Sequence, residues 1–327
     1  MNSKEEQKRL LELTEKRLSE LIPNIEPKAI YEPFRYIMEE GGKRIRPILT
    51  MLACGAICGT PDKAVDAACA IEILHNFTLV HDDIMDNSPI RRGKETIHQK
   101  WDEPTAIIAG DTMVGYAYRI LNAYNTGARY PQIVEAMNKA LIEVCEGQSY
   151  DMQFNTNKNV KIDEYIMMIG KKTSILLQAC ASLGGNIAEA NPEQLKSLDD
   201  YAYNLGIAFQ IQDDLLDITA DQAKFGKQIG QDLLEGKKAF LILKARELAK
   251  DAEDKALIEK FFDNDGLAKE DVPAMKRIYE KLNIFTIAQD EIERYLSQAK
   301  SALANLNQNQ YTDNMLGLLD SLNKRVY

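Results

Sequence analysis

The chain has 327 residues, 45% of them hydrophobic and 28% charged, and carries a formal net charge of −10. That balance supplies a sizeable core, argues against the basic field of a nucleic-acid binder, and includes no run near the roughly 20 apolar residues of a membrane span. Its five cysteines, Cys54, Cys58, Cys69, Cys145 and Cys180, lack CxxC spacing or a partnered His and read as buried thiols in a reducing compartment.

In chain order, the opening stretch MNSKEEQKRLLELTEKRL is charged and amphipathic, without the apolar centre of a signal peptide, which predicts a cytoplasmic protein. Gly41-Gly42 breaks the pattern and is followed by the basic run Lys43, Arg44 and Arg46. After Gly59-Thr60-Pro61, an apolar stripe of Ala67, Ile71 and Leu74 leads into Asp82-Asp83-Ile84-Met85-Asp86. Asn87-Ser88-Pro89 closes that helix, and Arg91, Arg92 and Lys94 follow. Further breaks fall at Asn125-Thr126-Gly127, Asn191-Pro192 and Asp263-Asn264-Asp265-Gly266.

No proline occurs between Pro131 and Pro192 or between Pro192 and Pro273. Helix formers recur there at helical spacing, and a second stripe of Tyr201, Leu205 and Ala208 leads into Asp213-Asp214-Leu215-Leu216-Asp217. Strand alternation is scarce, and no linker or low-complexity run divides the chain. The pattern predicts an all-α bundle forming one domain over residues 1–327.

The duplicated acidic motif is the chemical signal. On a helix, residues i and i+4 lie one turn apart on the same face, so Asp82 with Asp86, and Asp213 with Asp217, aim their carboxylates together. Six carboxylates in apolar surroundings repel one another and lose hydration unless cations neutralise them. A single DDxxD is as readily a solvated acidic face, but two copies point to metal binding. Neither is an EF-hand loop, since Asn87 and Ile218 stand where that loop needs Gly. Oxygen-only ligands select hard cations, and Mg²⁺, which combines one or two carboxylates with substrate phosphates and water, fits best. P-loop, GxGxxG and HExxH signatures are absent.

Read together, GGKRIRP at Gly41 to Pro47, HNFTLVHDDIMDNSPIRRG at His75 to Gly93, GKKTS at Gly170 to Ser174, FQIQDDLLD at Phe209 to Asp217 and GKQIGQDLLEGKK at Gly226 to Lys238 resemble the trans-isoprenyl diphosphate synthases, or polyprenyl synthetases. The resemblance implies a helical bundle around a deep central cavity, a homodimer, and Mg²⁺-assisted head-to-tail joining of isopentenyl diphosphate to an allylic diphosphate. It implies three Mg²⁺ ions, two held by Asp82 and Asp86 and the third by Asp213, with Asp83, Asp214 and Asp217 in support. Arg91, Lys172, Lys227 and Lys237 would clamp the allylic diphosphate. Gly42, Lys43, Arg46, His75 and Arg92 would bind isopentenyl diphosphate, and Thr173 and Gln210 would face the allylic cation with oxygen dipoles. The departing diphosphate would take the final proton. Two diphosphates of roughly −3 each, about 8 Å apart at an effective dielectric near 20, repel by something like 19 kcal/mol, so this concentration of positive charge has a physical reason.

By the same resemblance, side chains one to two turns before Asp82 floor the cavity that receives the growing chain. Phe77 and Thr78 hold that place, Phe77 about 7.5 Å along the helix from Asp82. A ring there resembles synthases making geranylgeranyl diphosphate, with farnesyl diphosphate second; core packing is the competing reading of Phe77. A terpene cyclase and a non-catalytic partner subunit fit less well, because the second motif is Asp-rich and both motifs are intact. Gln148 and Asp151 read equally as site residues or as a helix contact. His81 is expected to make a structural hydrogen bond, and His98 has no assignment. Where many family members carry Thr and Pro after the last Gly-Lys, this chain has Ala239 and Leu241.

Overall fold

The computed structural model describes residues 3–39, 41–220 and 229–323. These fall into two compact units, each built from separate stretches of chain: Met1–Val144, Leu176–Asp200 and Ala302–Gly317 in the first; Cys145–Ile175, Tyr201–Ser301 and Leu318–Tyr327 in the second. The helices are α1 Ser3–Leu21, α2 Lys28–Met38, α3 Ile45–Cys58, α4 Val65–Met85, α5 Ile97–Lys100, α6 Glu103–Leu121, α7 Tyr130–Thr156, α8 Ile162–Ile169, α9 Ile175–Ile187 and α10 Pro192–Thr219. They continue with α11 Gln231–Leu234, α12 Phe240–Leu248, α13 Ala252–Asp263, α14 Val272–Lys281, α15 Ile284–Leu303 and α16 Gln310–Asn323. The fold is all-α, as the residue pattern predicts.

In the first unit α4 is the central helix. Ala67, Ala68, Ala70, Ile71, Ile73 and Leu74 are fully buried around its circumference, so it packs on more than the one predicted stripe. It lies against α6, α3 and α1. Its small residues permit close approach, and its acidic end is the part that emerges from the core. The second unit has an aromatic core of Phe240, Phe261, Phe262 and Tyr279, all 1% exposed or less, beneath α12 to α14. Among the described residues no helix is long and apolar enough to cross a membrane.

The predicted breaks coincide with helix ends for local reasons. Gly59 caps α3 at φ 74°, Asn87 follows α4 at φ 49°, and Pro192 opens α10 at the position where its missing N–H costs least. Two expectations need correction. A short antiparallel hairpin pairs Ile90–Arg91 with Lys94–Glu95, turned by Arg92 and Gly93 at φ 52° and 80°. That is the left-handed pair a two-residue hairpin turn requires, and four strand residues are too few to show alternation. The cysteines are not uniformly buried either: Cys58 and Cys145 are exposed, because each occupies a helix face that turns outward.

The basic run after Gly41-Gly42 is divided between structure and surface. Arg44 is 3% exposed and donates to Glu15 at 2.7 Å, Glu72 at 2.8 Å and the Met38 carbonyl at 2.7 Å. It thereby ties α1, the end of α2 and α4 together, a buried ion pair of the kind whose breakage costs about 3–5 kcal/mol. Lys43 is exposed, and Arg46 is half-buried against α4.

Candidate active site

The first unit gathers one basic and one acidic cluster along α4. Arg46, in the first turn of α3, places Nη1 3.0 Å from Nε2 of His75 on α4. Burial, reinforced by the neighbouring Arg46, Arg92 and Arg91, holds His75 well below its ordinary range, so the ring is neutral and Nε2 accepts from Arg46. The proton then resides on Nδ1, which is buried and meets no hydrogen-bond partner within the chain. An orphaned donor of this kind suits an anion. Arg92 donates to the Gly41 carbonyl at 2.7 Å, and its guanidinium lies 3.2 Å from where a Cβ on Gly42 would stand. Gly42, at φ 149°, has the backbone and the space that a side chain would deny. Gly42, Arg46, His75 and Arg92 are therefore neighbours, and Lys43 is exposed beside them.

At the end of α4 the three aspartates separate by role. Asp86 is the exposed C-cap, Asp82 is partly exposed, and Asp83 is 3% exposed. Asp83 accepts from Arg91 Nε at 2.8 Å, and Arg91 Nη2 lies 3.7 Å from Asp82. Burial raises the Asp83 carboxyl above its usual range, partly offset by Arg91. The hairpin turn thus places Arg91 on the acidic motif and Arg92 on the basic cluster, from adjacent positions.

One turn below, Phe77 is buried and stacks edge-on against His81 at 4.7 Å between ring centroids. Thr78 is bonded back to the His75 carbonyl at 2.7 Å. His81 lies 3.3 Å from the Ile107 carbonyl on α6, the expected structural contact, and a Cβ on Gly110 would collide with its ring at 2.4 Å. Gly110 therefore lets α6 close over this part of α4. Both ring nitrogens of His98 are buried without a hydrogen-bond partner, and no role is assigned to it.

The second unit builds its cluster on an irregular turn. Gly170–Ser174, the GKKTS motif, is a π-helical segment between α8 and α9, a form of helix defect common at functional sites. Two glycines allow it to seat: a Cβ on Gly147 would lie 2.4 Å from the Lys172 nitrogen, and one on Gly206 would lie 2.3 Å from the Ser174 hydroxyl. Lys172 reaches Asp151 at 2.5 Å, so the EGQSYD stretch supplies a partner to this lysine. Thr173 donates to Gln210 Oε1 at 2.9 Å, and Gln210 Nε2 donates to Asp214 at 3.2 Å.

Asp214, 6% exposed, also accepts from Tyr165 at 2.5 Å and from the Phe240 N–H at 3.0 Å. Burial raises it to about 6, against those hydrogen bonds. It caps α12, whose N-cap Ala239 has no side chain to do so. Asp217 accepts from the N–H groups of Gln231 and Asp232, each at 3.2 Å. Asp213 alone of the three is exposed. A cavity of about 130 Å³ lies here, lined by Asp151, Tyr165, Lys172, Asp214, Asp232 and Lys237 among others. Lys237 pairs with Glu235 at 2.8 Å, while its neighbour Lys238 is buried and donates to the Asn155 carbonyl. Lys227 lies outside the described residues.

Tyr165, Asp232, Gly147 and Gly206 join the cluster without being singled out by motif or spacing. Asp232 carried the one readable signal, since it stands between the two Gly-Lys pairs of an already suspicious motif. The other three act through contacts made only in the folded chain. Among the described residues no three His, Cys, Asp or Glu side chains converge to hold a metal by themselves. The oxygen-only pair of partly exposed Asp82 and exposed Asp86 fits a hard cation that completes its shell from phosphate and water.

The polyprenyl synthetase family model matches residues 27–282. A geranylgeranyl diphosphate synthase of Methanosarcina mazei is 42% identical over 231 residues, 70% of this chain and 71% of that protein. One from Sulfolobus acidocaldarius is 38% identical over 282 residues, 85% of this chain and 84% of that protein. The crystal structure of geranylgeranyl pyrophosphate synthetase from Pyrococcus horikoshii superposes with a TM-score of 0.90 at 34% identity, covering 98% of this chain and 99% of that one. The chain belongs to the polyprenyl synthetase family and is an isoprenyl diphosphate synthase, a short-chain trans-prenyltransferase.

Proposed function

We propose that this enzyme condenses isopentenyl diphosphate with allylic diphosphates and releases geranylgeranyl diphosphate. The reading of the reaction is carried by the Arg46–His75 pair, whose orphaned Nδ1–H offers a donor to a diphosphate beside two further cationic side chains. Arg46 and Arg92 bind isopentenyl diphosphate through planar forks that match phosphate oxygens, with Lys43 as a mobile point charge and the Gly42 backbone close by. Arg91, Lys172, Lys227 and Lys237 hold the allylic diphosphate. Arg91 and Lys172 are held by Asp83 and Asp151, which orients each of them.

Asp82, Asp86 and Asp213 would hold Mg²⁺, three ions with substrate bound, which when present neutralises phosphate charge and stabilises the leaving group. Asp83, Asp214 and Asp217 set the helices that carry them. The clamping cations lower the energy of the negative charge that grows as the C–O bond breaks. Thr173 and Gln210 present oxygen dipoles to the allylic cation, which must be kept from water until the isopentenyl double bond attacks. The departing diphosphate takes the proton, and no side-chain base is required. The single domain over 1–327, the homodimer and the cytoplasmic location belong to the same proposal; one family model spans 27–282 and so draws on both units.

Phe77 sets product length in this reading. It is buried on α4 below Asp82 and braced by His81, which is in turn fixed by α6. Phe77→Ala is expected to lengthen the product by at least one isoprene unit. The deciding experiment is chromatography of products from purified enzyme, isopentenyl diphosphate, Mg²⁺ and each of dimethylallyl, geranyl and farnesyl diphosphates. Accumulation of geranylgeranyl diphosphate supports the whole proposal. Arrest at farnesyl diphosphate, or an unchanged product in an active Phe77→Ala enzyme, removes Phe77 as the floor. No metal-dependent product removes the reaction itself.

A further inference from the structure

Helix α3 carries Arg46 at one end and two thiols at the other. Cys54 and Cys58 are four residues apart on one face, and their sulfurs are 3.8 Å from each other. Cys54 is fully buried, whereas Cys58 is exposed. Thr60 folds back over the pair: its hydroxyl lies 3.1 Å from Cys58 Sγ, and its carbonyl lies 3.5 Å from Cys54 Sγ. None of these groups has a part in prenyl transfer.

We propose that Cys58 and Cys54 form a dithiol modification site, in which Cys58 exchanges with low-molecular-weight disulfides and Cys54 resolves the adduct into an intrahelical disulfide. The covalent geometry permits it. Residues i and i+4 of a helix have Cα atoms about 6 Å apart, within the span of a disulfide, so the sulfurs need only a side-chain rotation and a small adjustment of the last turn to meet. The position is suited to that adjustment, since Cys58 is the final residue of α3. The next residue, Gly59, has already left the helix at φ 74°.

The two thiols differ in the way such a pair requires. Burial tends to raise the Cys58 thiol, but hydrogen bonds from Thr60 and Cys54 outweigh it and bring it below its ordinary value. Burial holds Cys54 far above that value. The exposed thiol is therefore the attacking group and the buried one the resolving group. In the first step the Cys58 thiolate attacks one sulfur of RSSR, the S–S bond breaks, and RS⁻ leaves and is protonated by water. In the second, the Cys54 sulfur attacks the Cys58 sulfur, and the second RS⁻ departs with the Cys54 proton. Two protein thiols are oxidised to one disulfide, and RSSR is reduced to two RSH. The high proton affinity of Cys54 makes the second step the slower, so the mixed disulfide accumulates before the ring closes.

The test is incubation of the full chain with oxidised glutathione, quenching with iodoacetamide at intervals, and peptide mass mapping. Cys58 should first gain one glutathionyl group, after which the peptide containing Cys54 and Cys58 should release it as glutathione and end two hydrogens lighter than the unmodified peptide. Cys145 is the internal control, an exposed thiol that burial pushes upward, and should react roughly tenfold more slowly. Cys58→Ser should abolish both products at an exposed position where folding is not at risk, and Cys54→Ala should stop at the mixed disulfide. A mixed disulfide that never closes in the unmutated chain, or a Cys145 that reacts as fast as Cys58, overturns the proposal.

Discussion

The two acidic motifs share a spelling and differ in what supports them. Near the end of α4, the middle aspartate of the first is anchored by a charge, the Arg91 guanidinium at 2.8 Å. Within α10, the middle aspartate of the second is anchored by neutral donors, the Tyr165 hydroxyl, the Gln210 amide and the Phe240 N–H. In both, helical phase turns that middle residue inward and leaves Asp82 and Asp86, or Asp213, toward solvent. The same five-residue pattern therefore makes an outward acidic edge and an inward structural post. A charged anchor suits a motif whose arginine is proposed to hold substrate, and a neutral network suits one that has to hold the start of another helix.

If this division is right, the outward and inward residues fail differently. Asp82→Ala and Asp213→Ala should each lower kcat by about 10²–10³-fold while leaving the denaturation midpoint unchanged. A variant of either that unfolds early would erase the distinction. Asp214→Ala should instead lose roughly 3 kcal/mol of stability in urea titrations, because it strands the buried Tyr165 hydroxyl and the first N–H of α12. Asp83→Ala should lose less, since the partly exposed Arg91 it releases can turn to water.

The basic cluster adds a pH signature. His75 is buried neutral, with its folded-state pKa depressed below 6.5. Its unfolded form binds a proton that its folded form does not, so stability is full above about pH 6.5 and falls as pH drops below it, by up to about 1.4 kcal/mol per pH unit until the folded-state ring titrates. Urea titrations of His75→Gln should show a shallower loss between pH 6.5 and 5. Equal slopes would mean that the ring titrates alike in the folded and unfolded chains, and would remove the neutral ring whose Nε2 accepts from Arg46. The smallest effect concerns α12: Ala239→Thr should raise stability by about 0.5–1 kcal/mol by adding the cap that Asp214 now supplies alone, measurable as a shift in Tm. No gain would show that Asp214 already satisfies that helix end.

Much of this was legible in the residues because it depends on local period and chemistry. Helical spacing, turn residues at Gly59, Asn87 and Pro192, and the alternation of acidic with basic motifs do not need the fold to be recognised. The hairpin at Arg92-Gly93 is not legible in the sequence because its strands are two residues long and carry no period. Cys58 and Cys145 stand exposed within apolar sequence because an apolar stretch says that a helix is buried but not which of its faces is.

The sequence by itself determined the helical class, the two acidic edges and the family of reactions, because these rest on residue type at i and i+4 and on motif order. Only the tertiary structure decided that Arg44 is a buried strut between Glu15 and Glu72 while Arg46 reaches His75. It likewise decided that Asp151 partners Lys172, that Gly147 and Gly206 make room for the π-turn, and that Cys58 stands exposed beside a buried Cys54. Those outcomes depend on which side chains meet from distant parts of the chain, and on which of two adjacent like residues the backbone turns inward.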